Sequence, residues 1–340
     1  MRTVFVIGAG ANVEIGMPSG KELKKDIAEF LDFSSVYSDR RPKSFDVFYA
    51  MRNIFHDEEQ IINITSRMRE AMPVALSIDN FIDAHRLEYG IDKAGKIAIV
   101  ASIIDAEKRS YLFDLKKFKN DISKTWYPLF FQKLTERCEI NQFIERLKNI
   151  SFIIFNYDRC FEFYMIHALD AYYNIGKERA YNIVKQMNII HPYGLIGDLK
   201  KVPLGESLDY KWLMELYQNI RTFAEDSEET KKERTVIKQF IEEANRIIFL
   251  GFAYHQMNLD LFFDINKPIP KVVVVKSVNK IECYGTGKGI SENDRKYIQF
   301  LLYRIDQRLK ESDISVDSCA EFFNNFWYRI SFIDDGIGGS

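Results

Sequence analysis

At 340 residues, with 46% hydrophobic and 28% charged residues, the chain has the balance of an ordinary folded protein and excludes a disordered or low-complexity class. A formal net charge of -2 excludes a global basic field that would recruit nucleic acid, and no stretch approaches the roughly 20 apolar residues that span a bilayer. The 4 cysteines, Cys138, Cys160, Cys283 and Cys319, form no C-x-x-C pair, so no metal site is expected and the thiols are read as reduced, in a cytoplasm.

The first apolar run, Thr3–Ile7 (TVFVI), stops at Gly8, too early for a secretory signal. It is continuous rather than alternating, as in a strand buried on both faces. Ser151–Phe155 (SFIIF), Asn188–Ile190 (NII), Arg246–Leu250 (RIIFL) and Lys271–Lys276 (KVVVVK) read the same way. Between the first two strands lie helical patterns, among them Asp79–Tyr89 and Lys116–Arg137. Residues 40–148 are therefore expected to form a helical insertion into a sheet domain of residues 1–39 and 149–340. Thr235–Arg246 places Val236, Ile237, Phe240, Ile241 and Ala244 on one helical stripe, and the charge run Glu225–Arg234 before it reads as a solvated turn and helix start. From Ser291 the chain looks helical until Trp327–Ile333, a candidate edge strand. Alternating strands and helices predict an α/β fold: a doubly wound, Rossmann-like, mainly parallel sheet with a large helical insertion. Aromatic residues at 14%, with 27 Phe and 18 Tyr, call for a dense core or sizeable interfaces, and a homo-oligomer is expected.

Ligands of open α/β sheets bind at the carboxyl ends of the strands, so the residues that follow each strand are the candidates. They are Gly8-Ala9-Gly10-Ala11-Asn12, Asn156-Tyr157-Asp158, His191-Pro192-Tyr193-Gly194, Gly251-Phe252 and Ser277-Val278-Asn279. Gly8 and Gly10 permit the tight turn and close backbone approach that a diphosphate needs, and a helix starting near Ser19 offers its amides to an anion. The dehydrogenase fingerprint G-x-G-x-x-G fails at Val13, and no second strand with an acidic end follows, so a conventional dehydrogenase is disfavoured. Taken alone, the loop is also compatible with a tight turn that holds no ligand.

Together these segments resemble the sirtuin-like NAD-consuming family. The resemblance rests on Gly8-Ala9-Gly10-Ala11 with Gly16-Met17-Pro18, on Asn156-Tyr157-Asp158, on His191 followed closely by Gly194, and on Phe249-Leu250-Gly251-Phe252. The zinc module of deacetylating sirtuins, with its two C-x-x-C pairs, has no counterpart. In this the chain is similar to bacterial sirtuin-like NAD hydrolases of anti-phage systems, as it is in Ser77-Ile78-Asp79-Asn80-Phe81.

The resemblance implies an NAD+ hydrolase that cleaves the nicotinamide–ribose bond and acts in abortive infection. Asn156 would position the attacking water or the ribose hydroxyls, His191 would be the general base, and Asp158 would orient the ribose or steady developing positive charge. Asp158 reads equally well as the cap of a helix that begins at Arg159. Gly8, Ala9, Gly10 and Asn12, with Pro18, would cradle NAD at the first loop, and Gly251 and Asn279 would face its adenosine end. Asp79 reads first as a helix cap, ahead of Ser77, and secondly as a ligand contact. His255 is a weaker candidate contact, and His85 and His167 read as packing residues. The alternatives are a protein deacylase or ADP-ribosyl transferase, and a non-catalytic nucleotide-binding scaffold. No stretch with the look of a sensing domain follows Lys276, so control is expected from a partner chain; the resemblance suggests a HerA-type ring ATPase.

Overall fold

The computed structural model describes residues 1–33, 42–114, 120–207, 209–222, 225, 227–263, 280–309 and 311–332. Six parallel strands form one sheet: β1 (Thr3–Ile7), β2 (Ile150–Ile154), β3 (Asn188–Ile190), β4 (Arg246–Leu250), β5 (Glu282–Thr286) and β6 (Asp313–Ser315). Their order, β3-β2-β1-β4-β5-β6, is that of a doubly wound Rossmann-like sheet, with the chain reversing direction across the sheet beside β1. β1 and β4 are buried at every residue, which is why they read as unbroken apolar runs.

Register sets the rim. Ile7 stands beside Ile154 on one side and Leu250 on the other, so the segments that follow these three strands leave the sheet at one level. Gly8, Phe155 and Gly251 are therefore neighbours at the topological switch point, where such sheets open a crevice.

The helices, in chain order, are α1 (Gly20–Phe30), α2 (Phe45–Arg52), α3 (Glu58–Ala71), α4 (Ile78–Ala84), α5 (Ile91–Arg109), α6 (Trp126–Thr135), α7 (Ile140–Leu147), α8 (Cys160–Tyr173), α9 (Lys177–Lys185), α10 (Tyr210–Leu216), α11 (Glu228–Glu243), α12 (Glu292–Ile305) and α13 (Cys319–Asn325), with single turns elsewhere. Between α1 and β2 the described residues form helices and no strand. α5 is the buried axis of that region: Gly95 lets Ile82 of α4 pack so closely that a Cβ would meet its Cδ1 at 2.6 Å. Ser19 starts α1 with a capping box, its hydroxyl accepting from the Glu22 amide while the Glu22 carboxylate accepts from the Ser19 amide. The charge run before Thr235 is the first half of α11, capped by Ser227.

Three sequence expectations need correction. β2 begins at Ile150 and ends at Ile154, one residue earlier than expected. β5 and β6 were not anticipated: Glu-Cys-Tyr-Gly-Thr and Asp-Ile-Ser lack the continuous apolar character of the central strands. Trp327–Phe332 is not a strand, and Arg246 occupies its backbone instead, its guanidinium donating to the carbonyls of Arg329 and Ser331, both at 3.1 Å. The run Lys271–Lys276 lies outside the described residues. Much of the aromatic content enters the core, where Phe5 meets Phe130 edge-on at 5.2 Å and stacks on Phe152 at 5.6 Å. Among the described residues no helix is long and apolar enough to cross a membrane.

Candidate functional site

A cavity of about 880 Å³ opens at the carboxyl ends of β1, β2, β4 and β5. Gly8, Ala9, Gly10 and Pro18 line it from β1, Asn156 and Asp158 from β2, Gly251 from β4, and Thr286 and Lys288 from β5. The helical region between α1 and β2 closes one side with Leu76, Ser77, Asp79 and Ile103.

The glycines of the first loop meet another loop of the protein. A Cβ on Gly8 would stand 2.6 Å from the Gly251 carbonyl oxygen, and one on Gly10 at 2.8 Å. Gly251 has φ +55, and its own Cβ would fall 1.9 Å from the Ala11 nitrogen. The Gly10 amide donates to the Gly251 carbonyl at 3.0 Å, and the Gly251 amide donates to Thr286 Oγ1 at 2.8 Å. Close approach at these positions thus joins the ends of β1, β4 and β5, whether or not a ligand lies above them.

Asn156 is 4% exposed, and neither Nδ2 nor Oδ1 has a hydrogen-bond partner among the described residues. Leaving both ends of an amide unsatisfied in a buried place is costly, and Asn156 is also one of the residues that line the cavity. Its main chain is fixed: the Asn156 carbonyl oxygen lies 3.0 Å from His191 Nδ1.

Asp158 is buried and accepts from Asn12 Nδ2 at 2.9 and 3.1 Å on its two oxygens, and from the Cys160 amide at 3.0 Å. Burial pushes its carboxyl up to about 6 despite those donors. α8 begins at Cys160 with Arg159 at the N-cap position, so Asp158 is not the N-cap, although it does satisfy the first amide of the helix. Asn12 does not line the cavity. It links Tyr127, whose hydroxyl donates to Asn12 Oδ1 at 2.8 Å, to Asp158.

Asp79 does not cap α4. Ser77 does, its hydroxyl accepting from the Asn80 amide at 3.1 Å from an extended backbone. Asp79 instead faces the cavity and accepts from the Tyr157 hydroxyl. Enclosure by protein pushes its carboxyl up to about 6, against the lowering effect of Tyr157.

His191 stands behind the site. It does not line the cavity, and both ring nitrogens are engaged, Nδ1 at Asn156 and Nε2 2.8 Å from Glu162 Oε1. Burial alone would lower its pKa, but the charge and hydrogen bond of Glu162, the Asn156 carbonyl and the charge of Asp158 together raise it. His255 lines the cavity, whereas His85 and His167 bond the carbonyls of Phe81 and Phe163, one helical turn back. Asn279 lies outside the described residues.

Several residues of the site carried no sequence assignment. Tyr157 and Tyr193 sit inside the quoted motifs and line the cavity, and the Tyr193 hydroxyl donates to Asn258 Oδ1 at 2.6 Å. Glu162 gave no local signal, because its role depends on a histidine 29 positions away. Gly285-Thr286-Gly287-Lys288-Gly289 lies at the end of a strand that was not anticipated, and its three glycines in alternation were the one signal in the sequence that marks it. Among the described residues no three His, Cys, Asp or Glu side chains gather as a metal site requires. Compared with known proteins, the chain matches no family model, and no curated protein matches it significantly.

Proposed function

We propose that the chain hydrolyses NAD+ at the nicotinamide–ribose bond, giving nicotinamide and ADP-ribose. The observation that carries this reading is Asn156, buried, unpartnered at both amide atoms and set on the wall of a strand-end cavity. The cavity volume, about 880 Å³, suits a ligand of dinucleotide size. In the reaction the C–N bond breaks through an oxocarbenium-like state, and nicotinamide leaves neutral with the bonding electron pair. Water adds to the ribose C1′ and gives up a proton. Asn156 orients that water or the ribose hydroxyls. Asp158 and Asp79, both lining the cavity, are placed to take the proton or to face the developing positive charge. His191 acts through the Asn156 peptide in the conformation described, and becomes a base only if its ring leaves Glu162.

A second reading, a nucleotide-binding module without turnover, is favoured by that same engagement of His191. Incubation with NAD+ of the purified chain, alone and with the neighbouring gene product, separates the two: release of nicotinamide and ADP-ribose in either case supports the hydrolase, and NAD+ bound but intact in both supports the module. Transfer of ADP-ribose or removal of an acyl group from a protein would instead support the transferase or deacylase alternative. The cellular setting is proposed from the sequence resemblance alone: cytoplasmic anti-phage abortive infection, by a homo-oligomer gated by a HerA-type ring ATPase. Turnover measured with and without the neighbouring gene product tests the gate.

A further inference from the structure

The end of β5 presents a second glycine-rich loop, Gly285-Thr286-Gly287-Lys288-Gly289, to the same cavity. Its base is fixed by Thr286, which accepts the Gly251 amide, and by Gly287, where a Cβ would crowd the Ser315 carbonyl at 2.8 Å. Its tip is bare: Gly289 has φ +82, and nothing lies within 4 Å of where its Cβ would be. Lys288 stands between these glycines and lines the cavity, with no hydrogen bond and no ion pair among the described residues. The charges of Glu14 and Glu321 reach it, but both carboxylates are held elsewhere. Glu14 accepts the Trp126 and Ala320 amides at 2.9 and 3.0 Å, and Glu321 accepts the Ser318 amide at 2.8 Å. Of the other lysines on the wall, Lys24 donates to the Ala75 carbonyl and Lys21 sits in the first turn of α1. The loop from Gly8 to Pro18 contains no cation at all.

The strand order puts β2 and β5 three spacings apart, about 14 Å at 4.8 Å per strand. An unpartnered amide, Asn156, marks one end of the cavity and an unpaired ammonium the other. We propose that Lys288, on the Gly287–Gly289 loop, is the phosphate-binding cation of this cavity. Its ligand is a phosphorylated adenine nucleotide whose far end reaches Asn156. Phosphate oxygens would accept from the ammonium, and the bare tip at Gly289 leaves them room. The adenine and the identity of the far end rest on the NAD reading above; the charge assignment does not.

Adenosine, AMP, ADP and adenosine 2′,5′-bisphosphate are titrated calorimetrically into the full chain and into Lys288→Ala, Lys288→Arg and Lys21→Ala, with a thermal melt of each. The wild type is expected to prefer a phosphorylated probe over adenosine by about tenfold or more, as a charge-assisted contact gives. Lys288→Ala should erase that preference, Lys288→Arg keep it, and Lys21→Ala keep most of it. A gain from AMP to ADP assigns the site to the diphosphate, and a gain from AMP to the bisphosphate assigns it to the ribose 2′-phosphate. An undiminished preference in Lys288→Ala, or no preference in the wild type, overturns the proposal even if NAD+ is cleaved. A preference lost in Lys288→Ala, in a protein that leaves NAD+ intact both alone and with the neighbouring gene product, upholds it and overturns the hydrolase reading instead.

Discussion

His191 joins Asn156 to Glu162: one ring nitrogen lies 3.0 Å from the Asn156 carbonyl and the other 2.8 Å from the Glu162 carboxylate. Glu162 raises the imidazole above its ordinary value, overcoming burial. A group whose folded pKa is raised stabilises the fold fully below its unfolded value, near 6.5, and loses that contribution as pH rises through the folded value. Glu162→Gln should therefore lower the melting temperature more at about pH 6 than at about pH 9. An equal loss at both would mean that the imidazole is neutral throughout. Because the ring touches the Asn156 peptide and not the cavity, this variant should also lower kcat more than it raises KM.

Asn156→Ala should cut NAD+ cleavage by about 100- to 10,000-fold, the usual cost of losing a positioning group. It should also leave the fold as stable as before, or more so, since it removes two buried polar atoms that have no partner. Calorimetry and a turnover assay on the same preparation check both halves. A clear drop in melting temperature would show that the amide is satisfied within the protein, and would remove the observation on which the function rests.

These residues also mark how far the sequence was readable. β1 and β4 were legible to the residue, because strands buried on both faces read as unbroken apolar runs, and the half-buried edge strand β3 matched its expected bounds through Ile189 and Ile190. β5 and β6 were not, because near a sheet edge polar residues and a glycine are tolerated. Asn156 and Asp158 were legible as strand-end polar residues on the cavity wall. The placement of His191 was not, since a strand end fixes where a residue lies but not which way its ring turns. That direction is set by Glu162 on α8, a tertiary contact with no local pattern.

Asp79 carries a carboxyl pushed up to about 6 by enclosure. A raised carboxyl favours the fold while protonated and weighs against it once ionised, so the penalty grows between about pH 4 and pH 6 and stays at higher pH. Asp79→Asn keeps an oxygen for the Tyr157 hydroxyl and removes the charge. It should raise stability near pH 8 by about 1 kcal/mol, water in the cavity screening part of the effect, and leave it unchanged near pH 4. If ionised Asp79 or Asp158 takes the proton in cleavage, kcat/KM of the wild type should climb through about pH 6. A flat profile from about pH 5 to pH 8 would exclude both carboxylates as the base.

Arg159 and Glu107 form an ion pair closed to solvent, with side chains 1% and 0% exposed. Arg159 Nε and Nη2 reach the two carboxylate oxygens at 3.1 and 2.6 Å, and its remaining donors go to the Val202 and Pro203 carbonyls. Glu107 also accepts the Arg159 and Gly205 amides, both at 3.2 Å. The pair thus ties the Asn156–Arg159 strand end to α5, the axis of the helical region that walls the cavity. Arg159→Met leaves Glu107 charged and uncompensated, and should cost about 3 to 5 kcal/mol. Adding Glu107→Leu removes the orphaned charge, so the double variant should recover much of that loss. Stability and activity are then expected to part. The apolar pair supports the fold but no longer holds the Arg159 backbone through its amide, so cleavage of NAD+ should stay well below wild type. Full activity in the double variant would show that Asn156 and Asp158 are positioned by the sheet alone.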